Sequence, residues 1–313
     1  MVLAMADVTF EVVCSSDDRA AWLEARKTGI GASDMPAILG LNKYMSELEL
    51  FLVKTGQVPT DDEDSEAAQW GHELEGKILE VFGRRTGRPV TRAGHLLRST
   101  QYPWAMCTLD GWQVIDDPKY QVRSMPVECK LTGAFGRDWE TSVPDYFMPQ
   151  IQQQMLVTGR PMASFACLVN GTKLVHADVE RDEVMIAQII EAGERFWRAV
   201  NDEKMPAPDG SKSAGWALSQ LYSRDDGEAV ALRWDAVELT DRHDAICAQV
   251  KALESERETI RQTLQVRIGG ATMGLLPGEN GGWSWKLQKR AARTQEAPAV
   301  EYRVLRRVKA RNR

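Results

Sequence analysis

The stretch "VECKLTG", residues 127–133, sets an acid and a lysine two positions apart in an otherwise apolar run. In an extended chain side chains alternate between faces, so Glu128 and Lys130 point one way while Val127, Cys129 and Leu131 point the other. Two readings are open. One is a surface strand carrying an ion pair of small energetic consequence. The other is a metal-dependent phosphodiesterase, whose carboxylate holds a divalent ion and whose ammonium orients a water or steadies charge developing on phosphorus. Taken alone, the residues favour the first, and the rest of the chain has to decide.

Working outward, strand-like stretches precede this one: "GHLLRS" from 94, "WAMCTLDGWQVI" from 104 and the approach "YQVRSMP". Asp110 and Gly111 by themselves read as a hairpin turn. After it, "PDYFMPQIQQQMLVTG" predicts a helix with Gln150, Gln153 and Gln154 on one side. A hairpin follows, "ASFACLV" and "TKLVHADVE" joined at Asn170 and Gly171, and then an amphipathic helix over 182–200. Toward the N-terminus, "SSDDRAAWLEARKTG" and "SELELFLVKTG" read as helices with Ser or Asp at the start and Gly at the end. In "GIGASDMPAILG" either Ser33 or Asp34 stands where an N-cap belongs; the G-x-G there follows a helix and lacks a third glycine, which excludes a dinucleotide loop. The acidic run 61–66 leads into "AAQWGHELEGKILEVFGRRTG", a helix in which Glu75 shares a face with Ile78, Leu79 and Phe82, while Glu73 lies nearer Trp70 and Lys77. Periodicity does not say which acid faces inward. The order of elements is that of an α/β core, a mixed sheet flanked by helices.

At 202–215 Pro, Gly and Ser accumulate and periodicity stops, so the division expected is a domain over 1–201, a linker over 202–215 and a helical extension over 216–313 that ends in a small hairpin and a basic tail. Of 313 residues the net charge is −6, but residues 286–313 carry ten Lys or Arg against Glu296 and Glu301, leaving −14 on the rest. The acidic body argues against a general nucleic-acid coating protein, while the basic tail is open to phosphate contact or to being a solvated terminal segment. The five cysteines, at 14, 107, 129, 167 and 247, have no C-x-x-C spacing, and His72, His95, His176 and His243 are isolated, which argues against a disulfide framework or a zinc site. No secretion signal or membrane-length apolar run is present, so a soluble intracellular protein with no membrane partner is expected.

An acid on a helix, an acid at a strand end, an acid and lysine alternating on the next strand and a polar helix is the order found in PD-(D/E)xK nucleases. More closely, the chain resembles the YqaJ-type viral recombinases, the lambda-exonuclease-like group of those nucleases. The resemblance is carried by "RKTGIGASD" at 26–34, "WGHELEG" at 70–76, "CTLDG" at 107–111, "VECK" at 127–130 and "YFMPQIQQQMLVTG" at 146–159, and it spans roughly residues 20–200. Each motif alone is weak; five in order are specific. Leu109 replaces the proline of the literal motif.

The resemblance implies a restriction-endonuclease-like core and a metal-dependent exonuclease that degrades one strand of linear duplex DNA from a 5′ end. Its products would be 5′-phosphomonoesters and a 3′ single strand for recombination. It implies that Asp110 and Glu128 bind Mg²⁺ or Mn²⁺, that Lys130 is the catalytic lysine, that the helix acid is Glu75 rather than Glu73, and that Gln150 belongs to the active site. Arg26 and Ser33 match the pair that binds the 5′-phosphate, although as a residue Ser33 is also a plain helix cap. A ring-shaped homotrimer, a single-strand annealing partner and a cytoplasmic, phage or prophage setting in bacteria are implied as well. An internally cutting or repair and defence nuclease of the same fold, and a catalytically silent DNA-binding module, are the alternatives.

Overall fold

A computed structural model describes residues 9–59, 66–120, 122–133, 143–277 and 281–287. The acidic run over 61–65 and the basic tail beyond 287 lie outside the described residues. The chain divides into two compact units, Met1–Ser223 and Arg224–Arg313.

In the first unit the elements run β1 (Phe10–Ser15), α1 (Arg19–Arg26), β2 (Ile30–Gly31), α2 (Met35–Ile38), α3 (Glu47–Lys54), α4 (Glu66–Thr86), β3 (Val90–Arg92), β4 (His95–Ser99), β5 (Ala105–Thr108), β6 (Gly111–Val114), β7 (Ser124–Thr132), α5 (Met148–Thr158), β8 (Met162–Val169), β9 (Lys173–Glu180), α6 (Glu183–Asn201) and α7 (Lys212–Leu221). They build two sheets, ordered β1-β4-β5-β2 and β3-β6-β7-β8-β9. Each has one parallel pairing, β2 with β5 and β7 with β8, among antiparallel ones. This is the α/β class with mixed sheet and flanking helices read from the sequence.

Local chemistry sets the ends of these elements. Asp18 accepts from Ala21 N–H to cap α1, Ser46 from Glu49 N–H to cap α3, and α5 stops at Gly159 in the left-handed region. Between β8 and β9, Asn170 and Gly171 both have positive φ, 51° and 67°, in the three-residue loop 170–172 that joins Val169 to its partner Lys173.

β7 lies inside its sheet with both faces covered. Val127 and Cys129 pack with Ile78, Leu79 and Phe82 of α4, while Ile151 and Met155 of α5 pack with Phe165 of β8, on the Glu128 face. That disposes of the surface-strand reading: Glu128 is 3% exposed.

Two expectations are corrected. Asp110–Gly111 is no hairpin turn, because β5 and β6 belong to different sheets and the chain passes from one to the other there. The division at 201 also fails to match the packing. Residues 202–211 have no regular structure apart from turns, but α7 returns to the core, burying Ala214 and Ala217, and Ser213 Oγ donates to Glu49 and accepts from Ser46 N–H at 2.7 Å. The first unit therefore ends at Ser223.

The second unit holds the long helix α8 (Asp235–Ile268) and an antiparallel pair, β10 (Met273–Leu275) with β11 (Gly282–Ser284).

Candidate active site

Alternation along β7 delivers Glu128 and Lys130 to the same face, where Lys130 Nζ lies 2.6 Å from Glu128 Oε1. That oxygen also accepts from Gln150 Nε2 at 2.5 Å, and Gln154 Nε2 donates to Oε2 at 2.5 Å. One helical turn separates the two glutamines, so both reach the same carboxylate from α5. Asp110 comes from the crossing between the sheets and is fixed by Cys129 N–H, which donates to its Oδ2 at 2.6 Å. A single strand thus presents Glu128 and Lys130 by side chain and clamps Asp110 by backbone.

Burial, and then the Glu128 and Glu75 carboxylates, push Asp110 well above the ordinary carboxylate range; Lys130 and the Cys129 N–H pull against them. Glu75 is also raised, first by burial, against Arg92 and His72, whose nitrogens lie 3.9 and 3.8 Å from its carboxylate. Burial lowers Lys130, but Glu128 and Asp110 outweigh it and the ammonium stays charged. It also stands 5.1 Å from the centroid of the Phe147 ring. Glu73 is exposed, so the helix acid that faces this cluster is Glu75. A cleft of about 870 Å³ lies along the start of α4, lined in part by Arg19, Trp70, His72 and Glu73.

These residues fit a divalent metal. Asp110 and Glu128 offer hard oxygen donors, and the mutual destabilisation of neighbouring carboxylates is what a bound cation relieves. Among the described residues no group of three or more His, Cys, Asp or Glu side chains is arranged to hold an ion. Mg²⁺ is commonly held by one or two carboxylates with water and substrate phosphate, a donor set that Asp110 and Glu128 match.

A second polar cluster forms where α1 meets the turn after β2. Arg26 NH2 lies 2.5 Å from Asp34 Oδ1 and 3.3 Å from Ser33 Oγ, and the guanidinium stacks over Trp22 at 4.8 Å. Asp34 Oδ2 takes Lys54 Nζ at 2.8 Å and Gly31 N–H at 2.9 Å. Although burial raises it, the Arg26 and Lys54 charges hold Asp34 down to about 2. Ser33 is exposed and makes no capping bond, so neither serine nor aspartate works as a simple N-cap here. A side chain at Gly29 would meet Met106 Sδ at 2.4 Å, and one at Gly31 would crowd Arg26 and Asp34 at 3.2 Å, which explains the G-x-G.

The two clusters are tied together. Trp22 Nε1 donates to Thr108 Oγ1 at 3.0 Å, two residues before Asp110, and Gln153 Nε2 bridges the carbonyls of Ile30 and Met106 at 2.8 and 3.0 Å. Gln153 thereby locks α5, which carries Gln150 and Gln154, to the strand that leads into Asp34. Sequence reasoning missed Gln154, Asp34 and Lys54. The signal for Gln154 was its i, i+4 spacing from Gln150; Lys54, last residue of α3, carried none.

Residues 21–161 match the YqaJ-like viral recombinase domain. The chain is 32% identical over 275 residues to the uncharacterized protein YqaJ of Bacillus subtilis (strain 168), covering 86% of this chain and 84% of that one. It is 27% identical over 161 residues to protein D345L of African swine fever virus (strain Badajoz 1971 Vero-adapted), 44% of this chain and 45% of that one. In fold it is similar to the alkaline exonuclease LHK-Exo from Laribacter hongkongensis, with a TM-score of 0.50 at 22% identity, covering 59% of this chain and 93% of that structure. Sequence likeness along most of its length, with all five motifs inside or beside the matched region, places this chain in the YqaJ-like viral recombinase family.

Proposed function

We propose that the protein is a metal-dependent exonuclease that degrades the 5′-ended strand of linear duplex DNA, releases 5′-phosphomonoesters and leaves a 3′ single strand for recombination. The observation that carries this reading is the convergence of Glu128, Lys130, Gln150 and Gln154 beside the buried Asp110, within a family of recombinases. Asp110 and Glu128 would hold Mg²⁺ or Mn²⁺. Such an ion supplies Lewis-acid polarisation of phosphate and a more acidic water. Lys130 sets a positive charge where the transition state gains negative charge, in a site where water screens it little. Gln150 and Gln154 hold the Glu128 carboxylate in one orientation, and Glu75 adds negative charge at the rim.

Arg26 and Ser33 are the groups for the terminal phosphate. The guanidinium is aimed by Asp34 and Trp22, and its remaining N–H groups suit a phosphate oxygen. Because Asp34 is matched by both Arg26 and Lys54, the cluster carries one net positive charge for an anion. The ties through Thr108 and Gln153 keep that anchor in register with Asp110 and Glu128, which lets binding of the end set which bond is cut. A ring of three copies and a single-strand annealing partner complete the reading.

The test is a linear duplex labelled separately at each 5′ and 3′ end, with Mg²⁺ or with chelator, beside closed circular DNA. Early release of 5′ label that needs Mg²⁺, with the circle untouched, is the expected result. Cleavage of the circle would assign the site to an internally cutting nuclease.

A further inference from the structure

The long helix α8, 34 residues from Asp235 to Ile268, has no buried residue. Its apolar side chains are nevertheless ordered. Leu239, Ile246, Leu253 and Ile260 recur every seven residues, and Val250 and Leu264 fall four after the second and fourth of them. That is the alternating four-three spacing of a coiled-coil seam, with the first set at d and Val250 and Leu264 at a. All four d residues are exposed, from 43% at Ile246 to 70% at Leu239. A helix about 51 Å long draws most of its stability from covering its apolar face. Among the described residues its only half-buried positions are Ala236, Thr240, Leu264, Gln265 and Ile268, and Ile268 packs against Gly274 of β10.

We infer that this seam is covered by α8 of a second copy of the chain, parallel and in register. The flanking charges choose the occupant and its direction. In a parallel pair a g residue faces the e residue five positions later on its neighbour. Glu256 occupies g and Arg261 occupies e, so each pair of strands makes this contact twice with opposite charges. An antiparallel copy with the apolar seam in register sets Glu256 against Gln249 and loses both. Within its own strand Arg261 reaches Glu258 at 3.1 Å, from an exposed position it can leave. The a-position His243 and Arg257 interrupt the apolar seam, and polar residues there fix register at a cost in stability. Glu256 stands next to Arg257 and offsets the meeting of two guanidiniums. This pairing is independent of the nuclease reading, since it involves only the second unit.

The experiment reads the proximity of two α8 helices directly. Cys247 sits at an e position and is exposed, Cys107, Cys129 and Cys167 are buried, and Cys14 is half-buried. Full-length protein carrying Cys14→Ser is labelled with pyrene maleimide, and excimer emission is followed through a dilution series. An excimer band that fades on dilution is expected. Ile246→Lys with Leu253→Lys should weaken association by about a hundred-fold or more, because each buried Leu or Ile is replaced by a charge. Glu256→Arg alone and Arg261→Glu alone should each weaken it, and the double reversal should restore it. Denaturant unfolding of each variant shows that the first unit is intact. No excimer at any concentration overturns the inference and leaves the seam to a different protein. A band indifferent to the lysines, or a double reversal that fails to restore the loss, overturns the parallel pairing.

Discussion

Asp34→Asn isolates the charge that aims Arg26. The wild-type carboxylate is 5% exposed and lies between Arg26 at 2.5 Å and Lys54 at 2.8 Å. Its pKa is held at about 2 against an ordinary 3.8, because the two cations and the Gly31 N–H outweigh burial. A carboxylate depressed on folding contributes stability that is fully present above its unfolded pKa and is lost as pH falls through its folded one. By linkage the contribution at neutral pH is about 2 kcal/mol, with roughly half of it left near pH 3. Asparagine keeps the shape and removes the charge. Urea unfolding at pH 7 should therefore show a midpoint shift worth about 2 kcal/mol with unchanged slope. The gap between variant and wild type should narrow steadily as the pH is lowered from 4 toward 3. A variant as stable as wild type at pH 7, or a gap that stays constant into acid, would refute the charge account and leave Asp34 with a packing role only.

Asp110→Asn and Lys130→Ala should each slow cleavage by about a hundred-fold or more, on the scale of deleting a transition-state charge, while gel-shift affinity for duplex DNA changes little. Gln154→Leu keeps the volume but removes the donor to Glu128 Oε2, and about a 10- to 100-fold loss in rate or Mg²⁺ affinity should appear in a metal titration. Arg26→Ala should remove a preference for 5′-phosphate over 5′-hydroxyl ends that in wild type is about ten-fold or more, the scale of a charge-assisted hydrogen bond; equal wild-type rates on the two ends would leave Arg26 structural. Truncation after Ser223 should leave a folded first unit. Truncation at residue 205 should destabilise it, because Ala214 and Ala217 leave the core and Glu49 loses Ser213; equal unfolding midpoints for the two fragments would contradict this.

Much of this was legible from periodicity. Glu128 and Lys130 share a face because strands alternate, and the Asn170–Gly171 turn was readable because both positions need positive φ. Burial was not legible. The ion pair looked like a surface feature until α5 was seen to cover it, and only tertiary packing brings Gln150 and Gln154 onto one carboxylate 22 and 26 residues away. Asp110–Gly111 has the composition of a turn, but a chain that changes sheets uses the same residues. The stretch 202–215 does read as a break, and its first part is one. What composition could not reveal is that Ser213, Ala214 and Ala217 are small enough to seat α7 on α3. Local rules offered Asp34 only as a helix cap and said nothing of Lys54, whereas a contact across 20 residues decides their role.

The claim that Glu128 organises a metal-dependent cleavage site is tested most directly by single-turnover release of the 5′-terminal nucleotide from a 5′-phosphorylated linear duplex in Mg²⁺. Wild type and Glu128→Gln are compared at enzyme concentrations that saturate the DNA. Glutamine preserves the side chain's size beside Gln150 and Gln154 while removing the charge that pairs with Lys130. The expected result is normal DNA binding with release slowed by about a hundred-fold or more, and chelator abolishing wild-type release. Release by Glu128→Gln near the wild-type rate, or wild-type release that persists in chelator, would contradict the account.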